Sequence, residues 1–356
     1  LGAYPITPAS DVLHILAGAK QPGVTTFQAE DEIAAIGAAL GASFAGDLGV
    51  TVTSGPGMAL KSETIGLAVM LELPLVIVDV QRAGPSTGMP TKTEQADLTQ
   101  ALFGRHGEAP LPVIAAATPS DCFDAAFQAA RIAVEYRTPV ILLSDGYLAN
   151  GDEPWPIPDL ASLPDIDPGF ATEPNGPDGA FLPYARDERL ARAWALPGTP
   201  GLEHRVGGLE KADGTGAISY DPANHEKMTA LRAAKIAGIA ADLPLAEVED
   251  PSGEARLLVV GWGSTYGPIT AAARRVRNHK RKVATLHLRQ LSPLPTGLGE
   301  ILRGYDRIVV PEMNLGQLAM LLRATYLVDV IGYNPVQGLP LKAGQLAEAI
   351  GELAPH

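Results

Sequence analysis

Three carboxylates stand side by side in Glu30-Asp31-Glu32, at the head of the small-sided run Ile33-Ala34-Ala35-Ile36-Gly37-Ala38-Ala39-Leu40-Gly41-Ala42-Ser43. Residues 29–43 are expected to form a helix with all three acids in its first turn and a body built for close burial. The free N–H groups and the dipole at a helix start favour negative charge, which accounts for the acids without any function. The alternative concerns one of them. A buried glutamate at the passage from strand to helix can hold a proton or bond a ligand nitrogen. Thr53-Ser54-Gly55-Pro56-Gly57 lies downstream, between the strand-like Gly49-Val50-Thr51-Val52 and another helix. Its glycines and proline force a tight turn and let a ligand approach the backbone.

Positioning such groups calls for alternating strands and helices, and residues 1–150 supply them. Tyr4-Pro5-Ile6-Thr7-Pro8 is a stiff turn after a first strand, its prolines fixing φ. Ser10 or Asp11 is expected to cap a helix carrying Val12, Leu13, Ile15 and Leu16. Residues 24–28 read as a short strand, and a helix leads from the 53–57 turn through Glu72. Residues 75–80 are a continuous apolar run, as suits a buried parallel strand. Residues 111–116 and 140–144 are two more, separated by a helix over 120–135. The alternation implies an α/β fold with a doubly wound parallel sheet, whose ligands sit at the carboxyl ends of the strands. Tyr4, Thr7, Glu32, the 53–57 turn and Gln81-Arg82 all fall at such ends, which argues for one site.

Residues 151–250 change character. The stretch 151–200 is crowded with Pro, Gly and Asp. It is expected to be an excursion across the surface, with a short helix near 187–195 and anchors at Trp155, Phe181, Tyr184 and Trp194. Helical spacing returns over 223–241. Gly207-Gly208 and Gly214-Thr215-Gly216 read as turns rather than anion sites. Residues 251–356 form a second, smaller α/β unit, with strands over 256–262, 283–288 and 308–310 and helices over 266–278 and 314–326. Gly261-Trp262-Gly263-Ser264 lacks the dinucleotide fingerprint and is read as a turn.

A length of 356 residues is enough for two domains. With 27 basic against 40 acidic residues the net charge is −13, which argues against nucleic acid and anionic membranes as partners. The single cysteine, Cys122, excludes an internal disulfide and a cluster held by this chain's own thiolates. It is best read as a small buried residue of a helix. The sequence has neither an apolar run of membrane-spanning length nor a signal peptide, so action in the cytoplasm is expected. Leu1-Gly2-Ala3-Tyr4 reads as the tail of a strand, as in a piece of a longer chain.

Glu-x-x-Ala-x-x-x-Ala-x-Gly followed by Thr-Ser-Gly-Pro-Gly resembles the pyrimidine-binding domain of thiamine-diphosphate enzymes. In that pattern the glutamate precedes a helix glycine by nine residues. Glu32 meets it with Ala35, Ala39 and Gly41, whereas Glu30 and Asp31 do not. Together with Tyr4-Pro5-Ile6-Thr7-Pro8, Gln81-Arg82-Ala83-Gly84-Pro85-Ser86-Thr87-Gly88-Met89-Pro90-Thr91, Gly201-Leu202-Glu203-His204 and Pro311-Glu312-Met313-Asn314-Leu315-Gly316-Gln317-Leu318, the series resembles the alpha subunit of 2-oxoacid:ferredoxin oxidoreductases, nearest to the 2-oxoglutarate type. The second unit is then expected to be similar to a transketolase C-terminal domain. Alpha chains of this type often carry a further domain ahead of the first motif; here it is either removed or a separate chain.

The resemblance implies oxidative decarboxylation of a 2-oxo acid with coenzyme A, giving acyl-CoA, CO₂ and two electrons for ferredoxin. The cofactor is thiamine diphosphate, with Glu32 driving its aminopyrimidine to the imino form and Thr53, Ser54, Gly55, Pro56 and Gly57 lying against the ring. No Gly-Asp-Gly motif followed by asparagine occurs. Mg²⁺ and a 4Fe-4S cluster are therefore expected on a partner beta subunit, in an alpha2beta2 assembly. Thr7, with Tyr4 beside it, would bond the substrate's carboxylate or oxo group; the plain alternative is a turn hydroxyl bonding its own backbone. Arg82 would clamp a substrate carboxylate or else pair with Asp79 or Glu94. In an acidic chain a second substrate carboxylate needs a fixed local cation, so Arg82 is assigned the distal carboxylate of 2-oxoglutarate. Pyruvate, branched-chain and aryl 2-oxo acids are the alternatives. His106 is a loop histidine that either lines the cleft or is structural. A competing class is a non-catalytic subunit of this fold that binds a nucleotide or a partner.

Overall fold

The computed structural model describes residues 1–19 and 23–354. Strands β1 (Gly2–Ala3), β2 (Phe27–Gln28), β3 (Gly49–Thr53), β4 (Leu75–Gln81), β5 (Val113–Ala115) and β6 (Pro139–Asp145) alternate with helices α1 (Ser10–Gly18), α2 (Glu32–Ala45), α3 (Gly55–Leu71), α4 (Leu98–Phe103), α5 (Asp121–Tyr136) and α6 (Gly146–Ala149). After α7 (Pro222–Gly238) follow β7 (Val248–Glu249), β8 (Leu257–Trp262), α8 (Tyr266–Asn278), β9 (Ala284–Leu288), β10 (Gln290–Ser292), α9 (Leu298–Arg303), β11 (Arg307–Pro311), α10 (Gln317–Tyr326), β12 (Ile331–Tyr333) and α11 (Ala343–Leu353). One sheet runs β10-β5-β6-β4-β3-β1-β2 and the other β12-β11-β8-β9-β7. Only β10 and β7 are antiparallel to their neighbours.

The first sheet is covered on both faces because the first half of each central strand, β4 and β6, is a continuous apolar run. Leu75 and Ile77 of β4 pack with Ile36, Met58 and Ile65 of α2 and α3. Val76 of β4 and Val140 and Leu142 of β6 pack with Ala129, Ile132 and Ala133 of α5. Helix α2 lies so close that a Cβ on Gly2 or Gly49 would run into the carbonyl of Ala35 or Ala39. The small residues of α2 and the glycines of β1 and β3 are two sides of this one contact.

Several elements differ from their sequence-based expectation. Helix α2 begins at Glu32, so only one of the three acids belongs to its first turn. Asp31 is the extended cap, its Oδ1 accepting from the Ala34 N–H at 2.7 Å, and Glu30 precedes it. Neither Ser10 nor Asp11 caps α1; Ala9 flanks it, and the Ser10 hydroxyl donates back to the Ile6 carbonyl. β2 is confined to two residues. The helix expected near 187–195 is replaced by a turn. Asp187 Oδ1 accepts from the N–H groups of Arg189 and Ala191, Leu190 sits at φ +60°, and Arg186 bridges Arg192; the aspartate side chain competes with helical bonding. Of the four aromatic anchors, Tyr184 and Trp194 are buried, whereas Trp155 is exposed. Of the two glycine clusters of this stretch, Gly214-Thr215-Gly216 forms a turn, with the Gly214 carbonyl accepting from the Tyr184 N–H, whereas Gly207-Gly208 is irregular backbone with no more than a bend. The C-terminal unit also lends its β10 to the edge of the first sheet, Gln290 opposite Ile114.

The excursion is tied down by charge. Glu72, just after α3, is buried and receives Arg186 (2.5 and 2.7 Å) and Lys235 of α7 (2.6 Å). Burial by itself would raise the Glu72 carboxyl, but Lys235 and Arg186 outweigh it and hold it at about 2. The pairing therefore stabilises the fold fully above the ordinary carboxylate range of ~4.3 and is lost as pH falls toward the folded value. Glu72→Gln, which leaves two cations unpaired, is expected to cost about 3–5 kcal/mol at pH 7 and less near pH 3, measured by urea unfolding. An equal loss at both pH values would assign the cost to packing.

Candidate functional site

The carboxyl ends of four adjacent strands bring the predicted residues to one edge. In spatial order they are Arg82 after β4, the 53–57 turn after β3, Tyr4 and Thr7 after β1, and Glu32 after β2. Glu32 is nearly buried and lies directly over the turn. A Cβ on Gly57 would run into Thr53 Oγ1 and come within 2.9 Å of Glu32 Cγ and 3.3 Å of Oε1. Thr53 and Ser54 are buried; Ser54 is the extended residue before α3, and its hydroxyl has no partner among the described residues. Pro56 occupies the first turn of α3, where its missing N–H is harmless.

Thr7 and Arg82 also meet. Arg82 Nη1 donates to the Thr7 carbonyl at 2.6 Å. The ion pair with Asp79 or Glu94 considered above is absent among the described residues, and Glu94 instead accepts from the Gly84 N–H at 3.2 Å. Thr7 borders a cleft of about 440 Å³, with Thr91–Thr93, Tyr147, Asn150 and the C-terminal unit's Leu339 along its walls. Tyr4 is exposed at the same edge. Glu32 and the 53–57 turn do not line that cleft. His106 lies elsewhere, in a groove of about 800 Å³ with Glu63 of α3 and His225 of α7.

Lys61 and Asp97 escaped the sequence reading, and Asp79 entered it only as a possible partner of Arg82. Lys61, one turn beyond Gly57, is buried, and its Nζ donates to the Glu32 carbonyl at 2.9 Å. Burial lowers its ammonium to about 8, against the opposing pull of Glu32 and Asp31. A lone lysine in the otherwise small and apolar start of α3 was the available signal. Asp79 of β4 is fully buried, with both oxygens unpartnered among the described residues, and Asp97 before α4 is its neighbour. Burial pushes the Asp79 carboxyl well above the ordinary carboxylate range, and the neighbouring Asp97 adds to the shift. The Asp97 carboxylate presses on the turn: a Cβ on Gly55 would lie 2.6 and 2.7 Å from its oxygens.

This geometry is that of an α/β domain in which the first turns of α2 and α3 meet at the carboxyl edge of the parallel sheet. The family described as "Pyruvate flavodoxin/ferredoxin oxidoreductase, thiamine diP-bdg" matches residues 1–219, and the chain belongs to it. It is 60% identical to the 2-oxoglutarate oxidoreductase subunit KorA of Mycobacterium tuberculosis, over 98% of this chain and 53% of that protein. It is 32% identical to the 2-oxoglutarate synthase subunit KorA of Methanothermobacter marburgensis, over 88% of this chain and 83% of that one. Among solved structures, the 2-oxoglutarate:ferredoxin oxidoreductase of Magnetococcus marinus, with 2-oxoglutarate, coenzyme A and succinyl-CoA bound, superposes with TM-score 0.91 at 37% identity, covering 98% of this chain and 61% of that one. A split-gene transketolase at 14% identity and TM-score 0.52 shares the fold alone. The chain thus spans about half the length of its Mycobacterium relative.

Burial pushes Asp97 up to about 6, with Glu94 raising it further and Asp79 and Arg82 opposing. The folded protein therefore holds a proton that the unfolded chain releases near ~3.9, and stability falls as pH rises through roughly 4 to 6. Asp97→Asn keeps a donor for Asp79 and is expected to remove that part of the decline. Urea midpoints between about pH 4 and 7 test this; an unchanged slope would place the proton elsewhere.

Proposed function

We propose that this chain is the alpha subunit of a cytoplasmic, thiamine-diphosphate-dependent 2-oxoglutarate:ferredoxin oxidoreductase. With a beta subunit it converts 2-oxoglutarate and coenzyme A to succinyl-CoA and CO₂, and two electrons pass to ferredoxin. The observation that carries the reading is the packing of Glu32 and Thr53 over Gly57, in line with the joined Thr7 and Arg82. The names of the relatives and the ligands of the Magnetococcus marinus enzyme support the choice of substrate. A single cysteine cannot ligate a cluster, so the 4Fe-4S centre is assigned to the beta subunit, as are Mg²⁺ and the diphosphate site, in an alpha2beta2 assembly.

The residues fit an aminopyrimidine. Because Gly57 carries no side chain, Thr53 and the Glu32 carboxylate pack directly against the backbone of the turn, which sets an acid beside it. When bound, thiamine diphosphate supplies a carbon nucleophile and a reservoir for the electrons left as CO₂ departs. This chain's part is to place it. Glu32 holds a proton at the pyrimidine ring nitrogen, and residues 53–57 lie against the ring. Thr7, flanked by Tyr4, bonds the substrate's oxo or carboxylate group. Arg82, whose recorded partner is a neutral carbonyl, keeps a positive charge for the distal carboxylate.

In the assembled enzyme Glu32→Gln is expected to lower kcat by ~10²- to 10⁴-fold with the fold retained, while Glu30→Gln, outside the helix, stays active. The reverse pattern, in steady-state assays of both variants, would show that the wrong acid has been chosen. Arg82→Ala is expected to depress kcat/KM for 2-oxoglutarate strongly and for pyruvate much less, since losing one partner of a buried charged contact costs ~2–5 kcal/mol. A proportional loss on both substrates would instead assign Arg82 to the carboxylate they share.

A further inference from the structure

The motif Pro311–Leu318 belongs to the C-terminal unit and touches none of the residues assigned above to cofactor or substrate. It grips the chain beside them. Gln95 is fully buried, and its side chain reaches across: Nε2 donates to the Trp262 carbonyl at 2.8 Å, and Oε1 accepts from the Met313 N–H at 3.2 Å. Its own N–H donates to the Met313 carbonyl, and its carbonyl accepts from Asn314 Nδ2 at 2.8 Å. Gly263, at φ +56°, is shaped to this amide, since a Cβ there would lie 2.7 Å from Gln95 Nε2.

Gln317 then spans the next residues. Its Nε2 donates to the Ala96 carbonyl at 2.7 Å, and its Oε1 accepts from the Thr99 N–H at 2.8 Å. Asp97 is thus bracketed by two glutamines bonded across the boundary between the units. The Asp97 N–H donates to Gln81 Oε1 at 3.1 Å, and its carboxylate abuts Gly55. The gripping side is itself fixed by Glu312. That buried carboxylate accepts from Trp262 Nε1 (3.1 Å), Asn314 Nδ2 (3.0 Å) and the N–H groups of Leu318 (2.8 Å) and Ala319 (3.1 Å).

We propose that Gln95 and Gln317 are positioning residues through which the C-terminal unit sets the backbone of the cofactor turn at Gly55. The path is short, hydrogen bonds from the motif to the residues flanking Asp97 and then the close approach of the Asp97 carboxylate to Gly55, so a shift at the 311–318 motif is passed to Asp97 and from there to Gly55. The inference rests on the assignment of residues 53–57 to thiamine diphosphate.

The test is calorimetric titration of thiamine diphosphate with Mg²⁺ into the full chain assembled with its partner subunit, alongside a thermal melt. Gln95→Met keeps the bulk and loses both side-chain bonds; Gln317→Met does the same from the less buried side and serves where the first fails to fold. Each is expected to raise the cofactor Kd by roughly 3- to 30-fold. Arg256→Ala, which breaks an exposed ion pair with Asp306 in the same unit, is expected to leave Kd unchanged. Unchanged affinity in a folded glutamine variant, or an equal loss in Arg256→Ala, overturns the proposal. Absence of binding by the wild-type assembly rejects the cofactor site itself, a distinct result.

Discussion

The approach of two helix starts over one glycine is the constraint on which the rest of the edge depends. Glu32 opens α2 and Gly55 opens α3, and the two turns touch where Gly57 has no side chain. For α2 to come so near, its body must lie against the backbone of β1 and β3, hence alanine along the helix and glycine at positions 2 and 49. Lys61 completes the contact by carrying a donor from α3 to the first carbonyl of α2. A larger residue at any of these places would separate the carboxylate from the turn before it affected the sheet.

This part of the molecule was legible because it is local. Strand, turn and helix follow one another within each segment, and the spacing from Glu32 to Gly41 and the Thr53–Gly57 sequence are one-dimensional patterns. The apolar runs of β4 and β6 declared themselves by their lack of alternation, as strands buried on both faces do. Even the errors here were small. Three acids in a row cannot all enter a helix start when the middle one, Asp31, offers its side chain to the free N–H groups first.

What sequence reading missed is long-range. Nothing near Asp79 announces Asp97, and neither alone signals a carboxyl raised by burial beside another acid; the pair exists because β4 and the segment before α4 meet in space. β10 is three residues flanked by Pro293, too short to be told from a loop, and it joins a sheet whose other strands come from the first half of the chain. The turn at 187–191 failed as a helix because the deciding interaction is a side chain bonding the backbone two and four residues on, which helical spacing cannot reveal. Gln95 reads as an unremarked loop residue until its partners at 262 and 313 are known.

The treatment of buried cations separates structural from functional charge in this acidic chain. Arg186 and Lys235 converge on Glu72, so their charge is spent inside the fold. Lys61, Arg82 and Lys211 are also buried, but their recorded hydrogen bonds run to backbone carbonyls: Glu32 for the first, Thr7 for the second, Gly207 and Leu209 for the third. A carbonyl satisfies an N–H without cancelling the charge behind it, whereas a carboxylate does both. Among the described residues no carboxylate oxygen lies within ion-pair distance of Arg82, and its Nε has no partner. Of these three cations, Arg82 alone follows a central strand at the carboxyl edge of the sheet. An anion arriving there meets a charge already desolvated and oriented. Such an attraction has no internal carboxylate partner to displace among the described residues, which is the condition that the dianionic substrate proposed above would impose on a chain with a net charge of −13.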